Sequence, residues 1–321
     1  MKKDNIIIYV SSKNNYDMFG EEVLKNINTE GFEIINIDDN SSEQEIKKGK
    51  QICKDNDIVF LENKSVGVQM ATQTLVDFIN ENRPDCKWIF CFQHDNYPIS
   101  ENFFGRISKL INDNKLNDFG ALGFNVIDMG KYCGNAFIDF QNHKKPFGML
   151  GLCHLSIHNE SGRWLSPHHN QLAIRNRKKW DDPFIIEMPM WAAVGINVQK
   201  WNEVIEPTDE YQFHLWFPDI MMQFNYHNSP CLILPNLYCI NRQELKEKYD
   251  IPVKSTVGNE HYFGEYGPHL KVFKERWGWD YRNVKFDFEQ IKENYKDTLL
   301  LDYFNHDVNM GPLKAYFMGD Y

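Results

Sequence analysis

Residues 88–96 read Trp-Ile-Phe-Cys-Phe-Gln-His-Asp-Asn, a short apolar run that ends in four polar side chains. Apolar runs of this length, rich in β-branched and aromatic residues, are typical of buried strands. The same arrangement occurs three times earlier in the chain. The earlier runs are Ile6–Val10 before Ser11-Ser12, Phe32–Ile37 before Asp38-Asp39, and Asp57–Leu61 before Glu62-Asn63-Lys64.

Segments with helical spacing of apolar residues separate these four strands. They are predicted at Phe19–Ile27, Glu43–Lys54 and Val66–Ile79. Strands that alternate with helices of 10–15 residues indicate a parallel sheet covered by helices. In such sheets ligands bind beyond the carboxyl ends of the strands. The four polar strand ends therefore predict a ligand site along one edge of the sheet.

The second half of the chain has a less regular pattern. Gly120–Val126 is predicted to be a fifth strand, and residues 128–183, rich in Gly, His, Asn and Pro, are predicted to be long, substrate-facing loops with short strands. Later elements are predicted at Phe184–Glu187, Ala192–Ile196, Phe217–Tyr226, Cys231–Leu234 and His269–Trp277. We find no repeat and no linker, which favours one domain with a C-terminal extension.

Composition excludes several classes of protein. Lys plus Arg is 35 and Asp plus Glu is 45, a net charge of −10 that disfavours nucleic acid as the partner. No apolar run approaches the roughly 18 residues of a membrane span, and the start lacks the apolar stretch of a signal peptide. The seven cysteines form no C-x-x-C pair, so we expect them to be structural thiols in a reducing compartment. The sequence therefore predicts a cytoplasmic protein.

The order of these motifs resembles the inverting family 2 glycosyltransferases of GT-A fold. The resemblance covers about residues 5–240 and is carried by the four polar strand ends, by Asn63-Lys64-Ser65-Val66-Gly67, and by Phe217-Pro218-Asp219-Ile220. Phe273-Lys274-Glu275-Arg276-Trp277 is loosely similar to the family's Phe-x-x-Lys-Trp ending. The resemblance implies a Rossmann-type mixed sheet flanked by helices, with a transferase domain at residues 1–245 and a C-terminal extension at residues 246–321 packed on it.

The resemblance also implies a nucleotide-sugar site and a divalent metal, Mn or Mg. Ser11 is implied as a donor-binding residue at the end of the first strand. Each of the remaining candidates has a second interpretation. Asp95 is either a metal ligand or a turn cap, and His94 either donates a hydrogen bond to a phosphate or contacts a loop. Asp38 either accepts a hydrogen bond from the uracil or ribose of the nucleotide or is a helix N-cap. Asn63 and Gly67 form either a turn that faces the donor or a plain connection between strand and helix.

For the acceptor side, the resemblance implies Asp219 as the carboxylate base that removes the proton of the acceptor hydroxyl. The alternative is that Asp219, just after Pro218, caps its own helix. Glu187 is a second candidate base at the acceptor site. Trp191 is predicted to stack on an acceptor sugar or to fill the core.

The leading hypothesis is thus an inverting, metal-dependent transfer from a nucleotide-diphosphate sugar to a glycan or lipid-linked acceptor, in glycan biosynthesis. A lipid-linked acceptor would require transient contact with the inner face of a membrane. A sugar nucleotidyltransferase is an alternative, but Ser11-Ser12-Lys13 has no phosphate-binding glycine. The other alternative is a catalytically degenerate protein that binds glycans. His94-Asp95-Asn96 favours it, because this segment offers one carboxylate where the family has Asp-x-Asp.

Overall fold

The computed structural model describes residues 3–128, 151–152, 183–186, 188–189, 192–211, 215–242, 244–251 and 266–277. Within these ranges no helix is both long enough and apolar enough to cross a bilayer. The predicted loops at 128–183 lie almost wholly outside the described residues, as do Glu187 and Trp191.

Strands and helices alternate through the first third of the chain. The first helical segment, α1, joins an α-helical turn at Tyr16–Met18, a π-helical stretch at Phe19–Val23 and a second α-helical turn at Leu24–Asn26. The strands are β1 (Ile6–Ser12), β2 (Glu33–Asp38), β3 (Val59–Glu62), β4 (Trp88–Phe92), β5 (Asn96–Pro98) and β6 (Ala121–Asp128). The helices that follow α1 are α2 (Glu43–Asp55), α3 (Val68–Asn82) and α4 (Phe103–Asn112).

The rest of the described chain contains five further strands and four further helices. The strands are β7 (Gly151–Leu152), β8 (Phe184–Ile186), β9 (Met188–Pro189), β10 (Val194–Asn197) and β11 (Cys231–Asn241). The helices are α5 (Val198–Val204), α6 (Trp216–Tyr226), α7 (Leu245–Lys248) and α8 (Tyr266–Trp277). Strands β7 and β9 form a separate antiparallel pair.

A mixed sheet organises these elements, with the order β3-β2-β1-β4-β10-β6-β11-β5 and β8 added beside β11. Strands β1 to β4 are parallel. Strand β10 runs antiparallel to both β4 and β6, and β11 runs parallel to β6. Strands β1–β4, β6 and β11 therefore all end at the same edge of the sheet, here called the carboxyl edge. This agrees with the predicted Rossmann-type mixed sheet.

Both faces of the sheet are covered, which explains the near-continuous apolar sequence of its central strands. Ile7 and Tyr9 of β1 pack into the core layer that includes α3, α5 and α6. Ile6, Ile8 and Val10 pack into the opposite layer, with α1 and α4. The carboxyl edge is therefore supported at β1 by core side chains on both faces of the sheet.

Most predicted elements are present, with ends shifted by a few residues. Trp88–Phe92 is a strand with the predicted bounds, and α2 extends one residue beyond the predicted Lys54. Strand β11 continues to Asn241, well past the predicted end at Leu234. The pairing register of β11 shifts between Leu234 and Tyr238, and the strand then continues. Pro235 lies in this interval and has no N–H to donate to the ladder, so the sequence there indicates a strand end.

Candidate functional site

The carboxyl edge brings the predicted donor-site residues together. Ser11 and Asp38 lie at the ends of β1 and β2, Asn63 directly follows β3, and His94-Asp95 follow β4. Gly67 immediately precedes α3, at the same edge. The topology therefore clusters in space the residues that the sequence places in four separate segments.

A buried hydrogen-bond network joins three of the strand ends. The Tyr16 hydroxyl donates to Asp38 Oδ2 at 2.8 Å and lies 3.2 Å from Asn36 Oδ1. Asn36 Nδ2 donates to Ser12 Oγ at 2.5 Å, and Ser12 Oγ lies 2.6 Å from His94 Nε2. Helix α1 thus supplies the tyrosine that fixes the relative positions of β1, β2 and the segment after β4.

His94 is a neutral member of this network. Its ring stacks on Phe19 with centroids 5.6 Å apart and lies 6.0 Å from the ring of Tyr16. Burial lowers the pKa of the His94 imidazole to about 4, against the opposing effects of Glu45 and of a hydrogen bond with the Asn15 backbone. At neutral pH His94 therefore brings no positive charge to the edge. Its contact is with the protein, and a phosphate contact stays a prediction.

Asp38 is 2% exposed, and both of its carboxylate oxygens have protein donors. Oδ2 accepts from Tyr16, as described above, and Oδ1 accepts from the Ser41 backbone N–H at 2.9 Å. The N-cap of α2 is Ser42, whose hydroxyl accepts from the Glu45 N–H at 3.4 Å. Asp38 therefore orders the β2–α2 loop, and a nucleotide would have to compete for its oxygens.

Asp39, the residue directly after β2, organises the turn before α3. Its Oδ1 accepts from the Gly67 N–H at 2.9 Å and from Asn63 Nδ2 at 2.7 Å. Gly67 has φ +90°, a value that L side chains rarely adopt. Asn63 Oδ1 in turn accepts from the Ser65 N–H at 3.1 Å. Asn63 and Gly67 thus have structural partners, and donor binding by either stays a prediction.

Asp95 lies in the turn between β4 and β5 and is 5% exposed. Asn96 Nδ2 donates to its Oδ1 at 3.2 Å. The Asp95 backbone carbonyl accepts from the N–H of Arg242, the residue directly after β11. Arg242 also donates from Nη1 to the Tyr97 hydroxyl at 3.2 Å and from Nε to Glu244. The Asp95 turn and the end of β11 therefore form one unit.

A divalent cation at this edge fits the oxygen chemistry of the residues present. Asp95 offers a carboxylate, and the buried Asn241 Oδ1 has no hydrogen-bond partner among the described residues. Carboxylate and amide oxygens suit Mg²⁺ and Mn²⁺, which often take their remaining ligands from water and substrate phosphates. Within the described ranges, no three His, Cys, Asp or Glu side chains converge on one point, so these residues alone make no closed protein cage for a metal.

Asp219 of α6 is fully buried, with 0% exposure, and lies at the centre of a second polar cluster. Its Oδ2 accepts from Gln223 Nε2 at 2.8 Å, Gln69 Nε2 at 3.0 Å and Arg276 Nη1 at 3.1 Å. Its Oδ1 accepts from Trp277 Nε1 at 2.7 Å and the Tyr211 hydroxyl at 3.4 Å. The side chain does not cap α6, so that alternative interpretation was wrong.

The cluster around Asp219 connects α8 to the start of α3. Arg276 and Trp277 come from α8, whereas Gln69 lies two residues after Gly67. Burial raises the pKa of the Asp219 carboxyl. The positive charge of Arg276 opposes this rise most strongly, and the hydrogen bonds from Trp277, Gln69 and Gln223 oppose it less. A raised pKa makes a carboxylate a better base, but five donors now occupy its oxygens.

Sequence reasoning missed several residues that shape the site. Asn36 gave a usable signal, since a polar residue in the apolar run Ile34–Ile37 indicates a buried hydrogen bond. Ser12, which bonds His94, is more buried than the predicted Ser11. Tyr16 and Gln69 gave no local signal, because their partners are distant in sequence.

The comparisons with known proteins concern the fold. No protein-family model and no curated protein matches the sequence. A crystal structure of GalNAc-T7 with UDP, GalNAc and Mn²⁺ is similar at a TM-score of 0.51 and 13% identity, over 94% of this chain. This chain spans 58% of the length of that one.

A mannosyltransferase, PcManGT from Pyrobaculum calidifontis, in complex with GDP-Man and Mn²⁺, is similar at a TM-score of 0.50 and 10% identity, over 98% of this chain and 74% of the other. The mixed sheet described above matches that of both glycosyltransferases. The chain therefore has a GT-A fold, as its motif order predicts. At these identities the similarity defines the fold alone.

Proposed function

We propose that this protein is a glycosyltransferase that moves a sugar from a nucleotide-diphosphate donor to a glycan or lipid-linked acceptor, with inversion and with a divalent cation. The observation that carries the proposal is the carboxyl edge, where Asp38, His94 and Asp95 meet on a GT-A sheet. Both similar structures hold Mn²⁺ with UDP or GDP-Man, which supports the same class of donor here.

The charge of the edge favours a cation. Asp38, Asp39 and Asp95 are buried carboxylates at this edge, and the nearby Arg242 is paired with Glu244. A donor diphosphate would be repelled by this set of charges. We propose Asp95 as the protein's carboxylate ligand for Mn²⁺ or Mg²⁺. When bound, the cation supplies positive charge that stabilises the departing diphosphate.

The other predicted donor residues would act around that point. We propose that Ser11, Asn63 and Gly67 line the nucleotide, that Asp38 accepts a hydrogen bond from its uracil or ribose, and that neutral His94 holds Ser12 in place. Because Asp38 already accepts from Tyr16 and Ser41, nucleotide binding would share or replace one of these bonds.

For the acceptor, we propose Asp219 as the base that removes the hydroxyl proton as the hydroxyl attacks the anomeric carbon. Its five donors set a condition, because an acceptor hydroxyl can reach Oδ1 or Oδ2 only if it displaces a donor. Arg276 and Trp277 are the donors on α8, so movement of this helix would remove two of the five donors, one from each oxygen. Trp191 and Glu187 remain our candidates for holding the acceptor sugar.

The full occupancy of Asp219 also favours a second candidate, a GT-A protein that binds glycans without turnover. A buried carboxylate held by five donors is what a purely structural role would produce. The two candidates differ in measurable chemistry, because only the transferase releases a nucleoside diphosphate in the presence of an acceptor.

Nucleotide release from a panel of UDP- and GDP-sugars, with Mn²⁺ and mixed glycan acceptors, tests the proposal. We expect Asp219→Asn to lower kcat by about 10²–10⁴, the usual contribution of a general base. We expect Asp95→Asn to lower activity at least as much and to raise the Mn²⁺ requirement. Asp55→Asn, an exposed carboxylate at the end of α2 away from the edge, is the matched control.

The two outcomes are distinct. A transferase gives release in the wild type and the Asp55→Asn control, with NMR of the product showing an inverted anomeric centre. No release from any donor, together with glycan affinity that survives both Asp95→Asn and Asp219→Asn, would support the binding protein.

A further inference from the structure

The last residue of β11, Asn241, carries an unexplained buried oxygen. Its side chain is 6% exposed, and Oδ1 has no hydrogen-bond partner within the described part of the chain. An unsatisfied buried polar atom lowers stability, because it has lost its hydrogen bonds to water. Such an atom requires an explanation, and a ligand absent from the structure is one.

The position of Asn241 points to what that ligand is. In the sheet register its Cα is opposite Asn96 of β5, the residue next to Asp95. The following residue, Arg242, donates its N–H to the Asp95 carbonyl. Asn241 is therefore bound on both sides to the Asp95 turn, at the carboxyl edge, where β6 and β11 also end.

The neighbourhood is rich in oxygen. Asp95 is 5% exposed, and Glu244, three residues after Asn241, has a buried Oε2 with no hydrogen-bond partner among the described residues. The other oxygen of Glu244 accepts from Arg242, which offsets its charge. Two buried, unpartnered oxygens on the segment that is hydrogen-bonded to the Asp95 turn suit a hard cation better than an anion.

We propose that Asn241 Oδ1 is a second protein ligand, beside the Asp95 carboxylate, of a divalent cation at the carboxyl edge. The inference rests on the proposed function, in that the cation is the one the donor diphosphate would share. It adds a specific residue from a strand 146 positions away from Asp95 in the chain. An amide ligand is neutral. With an asparagine in place of a second carboxylate, the metal-loaded site carries one negative charge fewer and therefore repels a diphosphate less.

A merely structural asparagine and a metal ligand behave differently when the oxygen is removed. Asn241→Leu deletes the unsatisfied oxygen, so the metal-free protein should melt at the same temperature or higher. The variant should also bind Mn²⁺ at least about tenfold more weakly, as measured by calorimetry and by the EPR signal of free Mn²⁺. A structural role predicts a lower melting temperature with unchanged Mn²⁺ affinity.

The chain offers a matched control on the same strand. Asn236 is 1% exposed, and neither its Oδ1 nor its Nδ2 has a partner among the described residues, but it lies at the irregularity within β11. Asn236→Leu should therefore raise or preserve the melting temperature and leave Mn²⁺ affinity within about twofold.

Mn²⁺ alone and Mn²⁺ with UDP or GDP are the probes, applied to the metal-free protein. Asn241→Asp guards against a misfolded leucine variant, because an added carboxylate should tighten Mn²⁺ binding. Unchanged affinity in both Asn241 variants, with loss in Asp95→Asn, would overturn the role of Asn241 and leave the proposed function standing. Absence of Mn²⁺ binding by the wild type, with and without nucleotide, would overturn both.

Discussion

At the scale of single residues, the polar side chains of the carboxyl edge are held by protein partners before any ligand arrives. Asp38 accepts from Tyr16, Asp39 accepts from Gly67, and Ser12 bonds His94. Such preorganisation reduces the side-chain entropy that a ligand must overcome on binding. Loss of one of these hydrogen-bond partners is therefore expected to lower the free energy of unfolding.

The Tyr16 hydroxyl allows a direct test of this network. Tyr16→Phe removes a donor to the buried Asp38 carboxylate, and we expect a loss of about 1–3 kcal/mol in the free energy of unfolding. Tyr9→Phe is the control, because the Tyr9 hydroxyl is buried near Ser11 and Thr72 without a hydrogen bond of normal geometry to a described residue. Denaturant unfolding should show Tyr9→Phe to be at least as stable as the wild type, because the substitution removes a buried hydroxyl without a partner. Equal losses in both variants would contradict this account.

The cysteines permit a second test at this scale. Burial raises the pKa of the Cys53, Cys86 and Cys91 thiols to about 12, and Cys231 and Cys239 are also buried. Thiolate is the reactive form, so at pH 8 these groups should resist iodoacetamide in the folded protein and react after unfolding. Peptide mapping by mass spectrometry separates the five sites. Rapid native labelling of any of the five would mean that its burial is wrong.

At the scale of elements, close approach of α2 to α1 positions the tyrosine of the network. A Cβ added at Gly49 of α2 would lie 2.5 Å from the Tyr16 ring and 2.9 Å from Phe60. The sequence predicts α2 almost to the residue, because its periodicity and Ser42 cap are local signals. The Gly49–Tyr16 contact has no local signal, since it joins two helices through the fold.

Gly49→Ala tests that packing. Overpacking of a rigid ring costs about 1–3 kcal/mol, whereas alanine gains up to about 1 kcal/mol of helix propensity, so we expect a net loss of stability. Displacement of Tyr16 should also weaken nucleotide binding. At Gly20 the nearest atom to an added Cβ is Ile52 at 3.4 Å, an ordinary contact, so Gly20→Ala should be tolerated. A stable Gly49→Ala variant would show that α1 and α2 are less closely packed than described.

At the scale of the whole molecule, the parallel half was predictable and the remainder was not. Strands β1 to β4 each carry a local apolar signal and a polar end, and the rule for parallel sheets then places those ends together. Strand β10 enters antiparallel between β4 and β6, an order that no local pattern encodes. The sequence does not predict Asn241 as a site residue, because the predicted strand ends at Leu234 and β11 continues to Asn241.

The proposed function requires the carboxyl edge of this GT-A sheet to bind a nucleoside diphosphate together with a divalent cation. The most direct measurement is the melting temperature with UDP, GDP, CMP or TDP at millimolar concentration, each with and without Mn²⁺. A ligand at 100 times its Kd stabilises the folded state by about 2.7 kcal/mol, or roughly 5 °C for a chain of this size.

We expect a rise of that order with one diphosphate, dependent on Mn²⁺, that is lost in Asp95→Asn and kept in Asp55→Asn. No rise with any of the four nucleotides, with or without Mn²⁺, would show that the edge does not bind such a ligand.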